Sequence, residues 1–104
     1  MKVALIGRTK VLLDTGKLLQ SKGFEIAYII TSKEAPEYEV GSDDFKAFAE
    51  ELGCTFLHDP AISKDKILKL SNSNDVVIAI SINYSGVISK EVTDLFPLGI
   101  FNAH

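Results

Sequence analysis

Asp75-Val76-Val77-Ile78-Ala79-Ile80-Ser81 places five apolar residues in a row between an aspartate and a serine. A strand with one wet face alternates apolar and polar residues. An unbroken run of strand length belongs instead to a strand covered on both faces, the condition found in the middle of a parallel sheet. Lys2-Val3-Ala4-Leu5-Ile6-Gly7 has the same character and ends in glycine. The two runs predict neighbouring central strands.

The segments around them alternate between helical and extended patterns. Lys10 to Lys22 reads as a helix whose apolar residues Val11, Leu12, Leu18 and Leu19 turn inward, with Gly16 allowing close approach to the sheet and Gly23 ending it. Glu25 to Ser32 is rich in β-branched and aromatic residues and reads as a second strand. Lys33 to Gly41, with Pro36 and three glutamates, is expected to be a polar surface loop.

Ser42 is expected to cap the next helix. Asp43 and Asp44 suit its positive end, and Phe45, Phe48, Ala49 and Leu52 form its buried stripe before Gly53. A short strand follows over Cys54 to His58, broken by Asp59-Pro60. Ser63 to Leu70 predicts a short helix with an apolar face of Ile67, Leu68 and Leu70, closed by the polar run Ser71-Asn72-Ser73-Asn74. Beyond the second apolar run, Ser89 can cap a brief helix carrying Val92, Leu95 and Phe96; Pro97 and Gly99 end it before a last strand at Ile100 and Phe101. Strands and helices alternating at these spacings predict an α/β fold: a Rossmann-like three-layer domain with a mostly parallel sheet and helices on both faces.

Composition agrees. At 104 residues, 46% hydrophobic and 24% charged, the chain has the make-up of one soluble globular domain. No apolar run approaches the roughly 18 to 20 residues that span a bilayer. A single lysine ahead of Val3 to Gly7 does not make a secretory signal, so a cytoplasmic location is the default expectation. The net charge of −3, with both signs interspersed, provides no basic stripe for a phosphate backbone. Cys54, without a second cysteine, is expected to be a core thiol.

Ligands of such sheets lie beyond the carboxyl ends of the strands, which directs attention to Gly7–Lys10, Thr31–Gly41, Ser81–Ser89 and Asn102–His104. Gly7-Arg8-Thr9-Lys10 matches neither a dinucleotide fingerprint nor a P-loop; Arg8 and Lys10 are weak candidates for an anionic substrate, with solvated loop charges as the ordinary alternative. Tyr84-Ser85-Gly86-Val87-Ile88 can offer a flat heterocycle backbone hydrogen bonds and an apolar wall, or can simply connect a strand to a helix. Asn102 and His104 lie two apart. On a continuing strand they share a face, an amide donor beside an imidazole, which suits stabilising the oxyanion of an acyl-transfer intermediate and moving a proton, although any Asn-x-His pair has this spacing. His58 is expected to be a strand-end residue.

Taken together, Tyr84-x-x-Val87-Ile88-Ser89 and Leu95-Phe96-Pro97-x-Gly99-x-Phe101-Asn102-x-His104 resemble the signature of the 10-formyltetrahydrofolate-dependent formyltransferases, whose members formylate methionyl-tRNA, glycinamide ribonucleotide or amino sugars. The specific match covers Asp75 to His104. The resemblance implies that residues 1–104 are the N-terminal part of a catalytic domain, ending at its Asn-x-His motif. It implies catalytic roles for Asn102, on the formyl oxygen, and His104, on the oxyanion or a proton. It also implies a folate pocket lined by Tyr84, Ser85, Gly86, Val87 and Ile88.

The formyl donor would be 10-formyltetrahydrofolate and the partner an acceptor amine, an amino sugar nucleotide or methionyl-tRNA, with nucleic acid involved only in the second case. The family's catalytic aspartate comes from a later loop, so residues 1–104 alone are expected to be inactive. Ser89 departs from the proline of many members, and the first loop lacks the Gly-Thr-Pro of the tRNA-acting ones. A formyltetrahydrofolate hydrolase and a non-catalytic Rossmann-like binding module are the alternative expectations.

Overall fold

The two apolar runs lie side by side. In a computed structural model that describes residues 1–32, 40–59, 61–70, 76–82, 84 and 88–103, β1 (Lys2–Gly7) pairs in parallel with β4 (Val76–Ile82) on one edge and with β2 (Glu25–Thr31) on the other. β3 (Thr55–His58) and β5 (Ile100–Ala103) complete an all-parallel sheet in the order β3-β2-β1-β4-β5. The crossovers carry α1 (Lys10–Ser21), α2 (Ser42–Leu52), α3 (Lys64–Leu70) and α4 (Lys90–Thr93). This is a Rossmann-like α/β fold. The segments expected as a polar loop (33–39) and as a polar breaker (71–74) lie outside the described residues.

Why the runs are unbroken is visible in the packing. Val3 and Leu5 of β1 join Ile26, Ile29 and Ile82 beneath Leu12 and Leu13 of α1 and Phe45, Phe48 and Ala49 of α2. Ala4 and Ile6 point the other way and join Tyr28, Ile30 and Ala79 with Ile67 of α3, Val92 of α4, Ile62 and Phe96. With a core on each side, no position of β1 between Val3 and Gly7 reaches solvent. The register slips once where β1 meets β2, from Val3↔Ile26 to Ala4↔Tyr28. Ala27 is the extra residue of this bulge, which puts Ala27 and Tyr28 on the same side and brings Ile26 and Ile29, three apart, to the opposite one.

Helix faces depart from the sequence-based expectation in three places. α1 buries Leu12, Leu13 and Gly16, whereas Val11 and Leu18, seven apart on its outer side, are 61% and 57% exposed. Both stripes repeat at helical spacing, so periodicity alone did not say which one meets the sheet. α3, only seven residues long, buries Ile67 and leaves Leu68 half exposed. Ser42 is the first residue of α2 rather than its cap; the Asp44 carboxylate accepts from the Gly41 amide at 2.8 Å, while Ser42 turns its hydroxyl elsewhere. Ser89 does cap α4, accepting from the Val92 amide at 3.3 Å. Cys54 packs partly buried against the α1/α2 core, and burial pushes its thiol pKa up.

Two glycines set close approaches. A Cβ on Gly7, whose φ is +140°, would lie 2.0 Å from the Ile82 carbonyl oxygen, a backbone atom held in the sheet. A Cβ on Gly16 would meet the Leu5 Cδ1 atom at 2.5 Å and the Phe48 ring at 3.1 Å, side chains able to shift. Gly7→Ala is therefore expected to cost more than about 3 kcal/mol, through backbone displacement plus strain, and Gly16→Ala about 1–3 kcal/mol. Urea melts of the two variants check the ranking.

Tyr28 is 1% exposed and its hydroxyl has no hydrogen-bond partner among the described residues; burial raises its phenol pKa far above the usual value. Leaving a buried polar group unsatisfied costs about 1–3 kcal/mol. Tyr28→Phe removes only that oxygen and is expected to match or exceed the wild-type melting temperature, whereas most core substitutions lower it.

Candidate functional site

Backbone ties join the carboxyl ends of β1 to β4 into one rim. The Arg8 amide donates to the Ile82 carbonyl at 3.0 Å, linking the turn after β1 to the end of β4. The Asp59 amide donates to the Thr31 carbonyl at 2.8 Å, linking β3 to β2. Tyr84, just beyond β4, donates its hydroxyl to the Asp59 carbonyl at 2.7 Å and closes the chain of contacts. Burial, and after it the Asp59 charge, raises the Tyr84 phenol pKa to about 12, so the group stays a donor at neutral pH.

The polar side chains of this rim divide between the faces of the sheet. Ile29 belongs to the α1/α2 core, so Thr31, two residues on, leaves the same face. There the Thr31 hydroxyl lies 3.1 Å and the Ser42 hydroxyl 2.8 Å from the Nδ1 atom of His58. This explains where Ser42 points: it fastens the start of α2 to the end of β3. Ala79 and Ile100 belong to the other core, and their partners two residues on, Ser81 and Asn102, are paired in register across β4 and β5. Ser81 is buried and Asn102 exposed. Tyr84 and Ile88 pack partly buried against that same α3/α4 core.

The sheet thus brings Asn102, Tyr84 and Ile88 to one face and keeps His58 on the other. Arg8 contributes its backbone to the rim, and Lys10 pairs with Asp14 one turn along α1 at 3.2 Å. Ser85, Gly86, Val87 and His104 lie outside the described residues. Sequence reasoning included Ser81 in the Ser81–Ser89 stretch without naming it among the site residues. It missed Asp59, whose carboxylate accepts from the Ala61 amide at 2.8 Å and pairs with Lys66 of α3.

Thr9 adds strain to the rim. Its φ of 89° and ψ of 158° fall in a region that side chains rarely adopt, and its buried hydroxyl oxygen lacks a partner among the described residues. Among the described residues there is no group of three or more His, Cys, Asp or Glu able to hold a metal, and no helix long and apolar enough to cross a membrane. A cavity of about 300 Å³ at the opposite edge, lined by Gln20, Gly23, Phe24, Glu25, Ile26 and Leu52, gathers helix ends and the start of β2, away from the rim.

No protein-family model matches the chain. It is similar to methionyl-tRNA formyltransferase from Ruminiclostridium cellulolyticum, with 23% identity over 107 residues. That alignment takes in the whole of this chain and 34% of the relative, so the chain spans about a third of the length of the curated protein it matches.

The Lys66 ammonium and the Ala61 amide hold the Asp59 carboxyl below its ordinary pKa. A carboxyl lowered in the folded state stabilises that state above its unfolded pKa, about 4, and the contribution is lost as pH falls through the folded value. Wild type is therefore expected to be more stable than Lys66→Met above about pH 5, with the gap narrowing as the solution is acidified below pH 4. Melting temperatures of both proteins across that range check the sign; a gap that widened in acid would contradict it.

Proposed function

We propose that the chain forms the N-terminal part of a formyltransferase active site that moves a formyl group from 10-formyltetrahydrofolate to an acceptor amine. The observation carrying this reading is the position of Asn102: exposed at the carboxyl end of β5, beside Ser81, on the face where Tyr84 and Ile88 lie. The distant likeness to a methionyl-tRNA formyltransferase along the full chain supports the same chemistry.

The residues suit the donor. Tyr84 and Ile88 would supply apolar surface for a flat heterocycle. In the reaction the amine nitrogen attacks the formyl carbon, the C=O electrons move onto oxygen, and the tetrahydrofolate nitrogen departs with a proton as the carbonyl re-forms. The Asn102 amide would donate to the formyl oxygen as it gains charge, worth about 3–4 kcal/mol for a well-aimed donor. His104 would stabilise the same oxygen or carry the proton from amine to leaving nitrogen.

The relative acts on a tRNA. Here the net charge is −3, and a polyanionic acceptor would need a basic surface from elsewhere in a longer protein. An amino sugar attached to a nucleotide makes a smaller electrostatic demand and is the acceptor class favoured by that balance.

Asn102→Ala is expected to lower formyl transfer about 100- to 1000-fold with little change in melting temperature, the side chain being exposed. The check is an assay of the parent protein with 10-formyltetrahydrofolate against methionyl-tRNA and nucleotide-linked amino sugars. Formate release without an acceptor would instead identify a hydrolase.

A further inference from the structure

Asn102 stands exposed at the end of β5. An amide in contact with water is a weak stabiliser of developing charge, because solvent competes for the same oxygen and screens the dipole. Such a site gains most from a second donor that is shielded from water. Several hydroxyls of the rim are already committed: Thr31 and Ser42 turn to His58 on the opposite face, Tyr84 donates to the Asp59 carbonyl, and Ser89 caps α4.

Ser81 differs. It is 1% exposed, its hydroxyl has no hydrogen bond among the described residues, and its oxygen is not sealed in as those of Thr9 and Tyr28 are. A buried hydroxyl without a partner weighs against the fold, and an acceptor brought in by a ligand relieves that cost. Ser81 is also the in-register partner of Asn102 across the β4/β5 ladder, and both side chains leave the sheet on the α3/α4 face.

We propose that Ser81 is a further catalytic residue: its hydroxyl and the Asn102 amide donate together to the formyl oxygen of the bound donor, and more strongly as that oxygen becomes an oxyanion. This rests on the formyl-transfer reading above. Side chains in register on neighbouring strands start about 4.8 Å apart. Two donors at that spacing, each about 2.9 Å from one oxygen, subtend about 110° there, near the tetrahedral directions of an alkoxide's lone pairs. The asparagine side chain is the longer, so the oxygen would lie over Ser81 with the amide reaching it from the side.

As the amine nitrogen bonds to the formyl carbon, the C=O electron pair moves onto the oxygen between the two donors. It returns as the bond to the folate nitrogen breaks and the amine proton passes to that nitrogen. Ser81 keeps its own proton throughout.

The test binds a stable 10-formyl-dideazafolate, isotopically labelled at the formyl carbon, to wild type, Ser81→Ala and Asn102→Ala. A hydrogen bond to a carbonyl oxygen lowers its stretching frequency, so the formyl band in isotope-edited infrared spectra is expected to lie higher in each variant than in wild type. Ser81→Ala is expected to weaken binding about five- to tenfold, the scale of one net hydrogen bond, without lowering the melting temperature, because the hydroxyl it removes is unpaired in the free protein. In the formyl-transfer assay of the parent protein the same substitution is expected to lower kcat about 100-fold.

A band that moves in Asn102→Ala and stays in place in Ser81→Ala, or a wild-type kcat in Ser81→Ala, overturns the role of Ser81 and leaves the formyl-transfer reading standing. A band moved by Ser81→Ala alone overturns the pairing with Asn102. A wild type that does not bind the probe, or a band that moves in neither variant, overturns the formyl-transfer reading and the role of Ser81 with it. A merely structural serine would alter the melting temperature and leave the band where it is.

Discussion

Strand β1 has a hydrogen-bonded neighbour on each edge and a hydrophobic core on each face, and the rest of the molecule is arranged to satisfy that burial. No backbone polar group of such a strand has water to turn to, so β2 and β4 must align along it in register. No side chain has water to turn to either, so helices must cover both faces. The right-handed crossovers then send α1 and α2 to one side and α3 and α4 to the other. Gly7 is where this strand leaves the sheet, so near to the Ile82 carbonyl that a side chain has no space. The rim begins from that contact.

The rim has a division of labour. Backbone hydrogen bonds fasten strand ends to one another, while side chains on the two faces do different things. Toward α2, the hydroxyls of Thr31 and Ser42 converge on His58, a structural junction between a helix start and a strand end. Toward α3 and α4, the polar groups are spaced rather than clustered, with Ser81 buried and Asn102 open to solvent. A face with its polar groups mutually satisfied has little left for a ligand; the other face retains donors at its edge.

Much of this was legible in the residues. Two uninterrupted apolar runs identified the central strands, and the stripe from Phe45 to Leu52 identified α2 together with its buried side. Other features were hidden for physical reasons. Val11 and Leu18 repeat with the same helical period as the buried residues of α1, and only the sheet's position selects between stripes. The bulge at Ala27 leaves no mark in a strand apolar on both faces, since either face accepts either residue. Ser42 has the chemistry of a helix cap and was drawn to His58, distant in sequence. The last strand, expected at Ile100 and Phe101, runs on through Asn102, which pairs with Ser81. The hydrogen bond from Tyr84 to Asp59 was not legible, because its acceptor is a main-chain carbonyl, which any residue at position 59 would supply.

The helical cover of the sheet is uneven. α1 and α2 have 12 and 11 residues, whereas α3 and α4 have seven and four. Short helices hold few internal hydrogen bonds and depend on their packing to persist. Brief excursions from the folded state will therefore be concentrated in one layer, while the sheet and its thicker side remain intact. Asn102 and Tyr84 lie on that thinner side. The protein combines a stiff plate with a compliant skin, and its candidate chemistry sits where the skin can yield to an entering molecule without disturbing the plate.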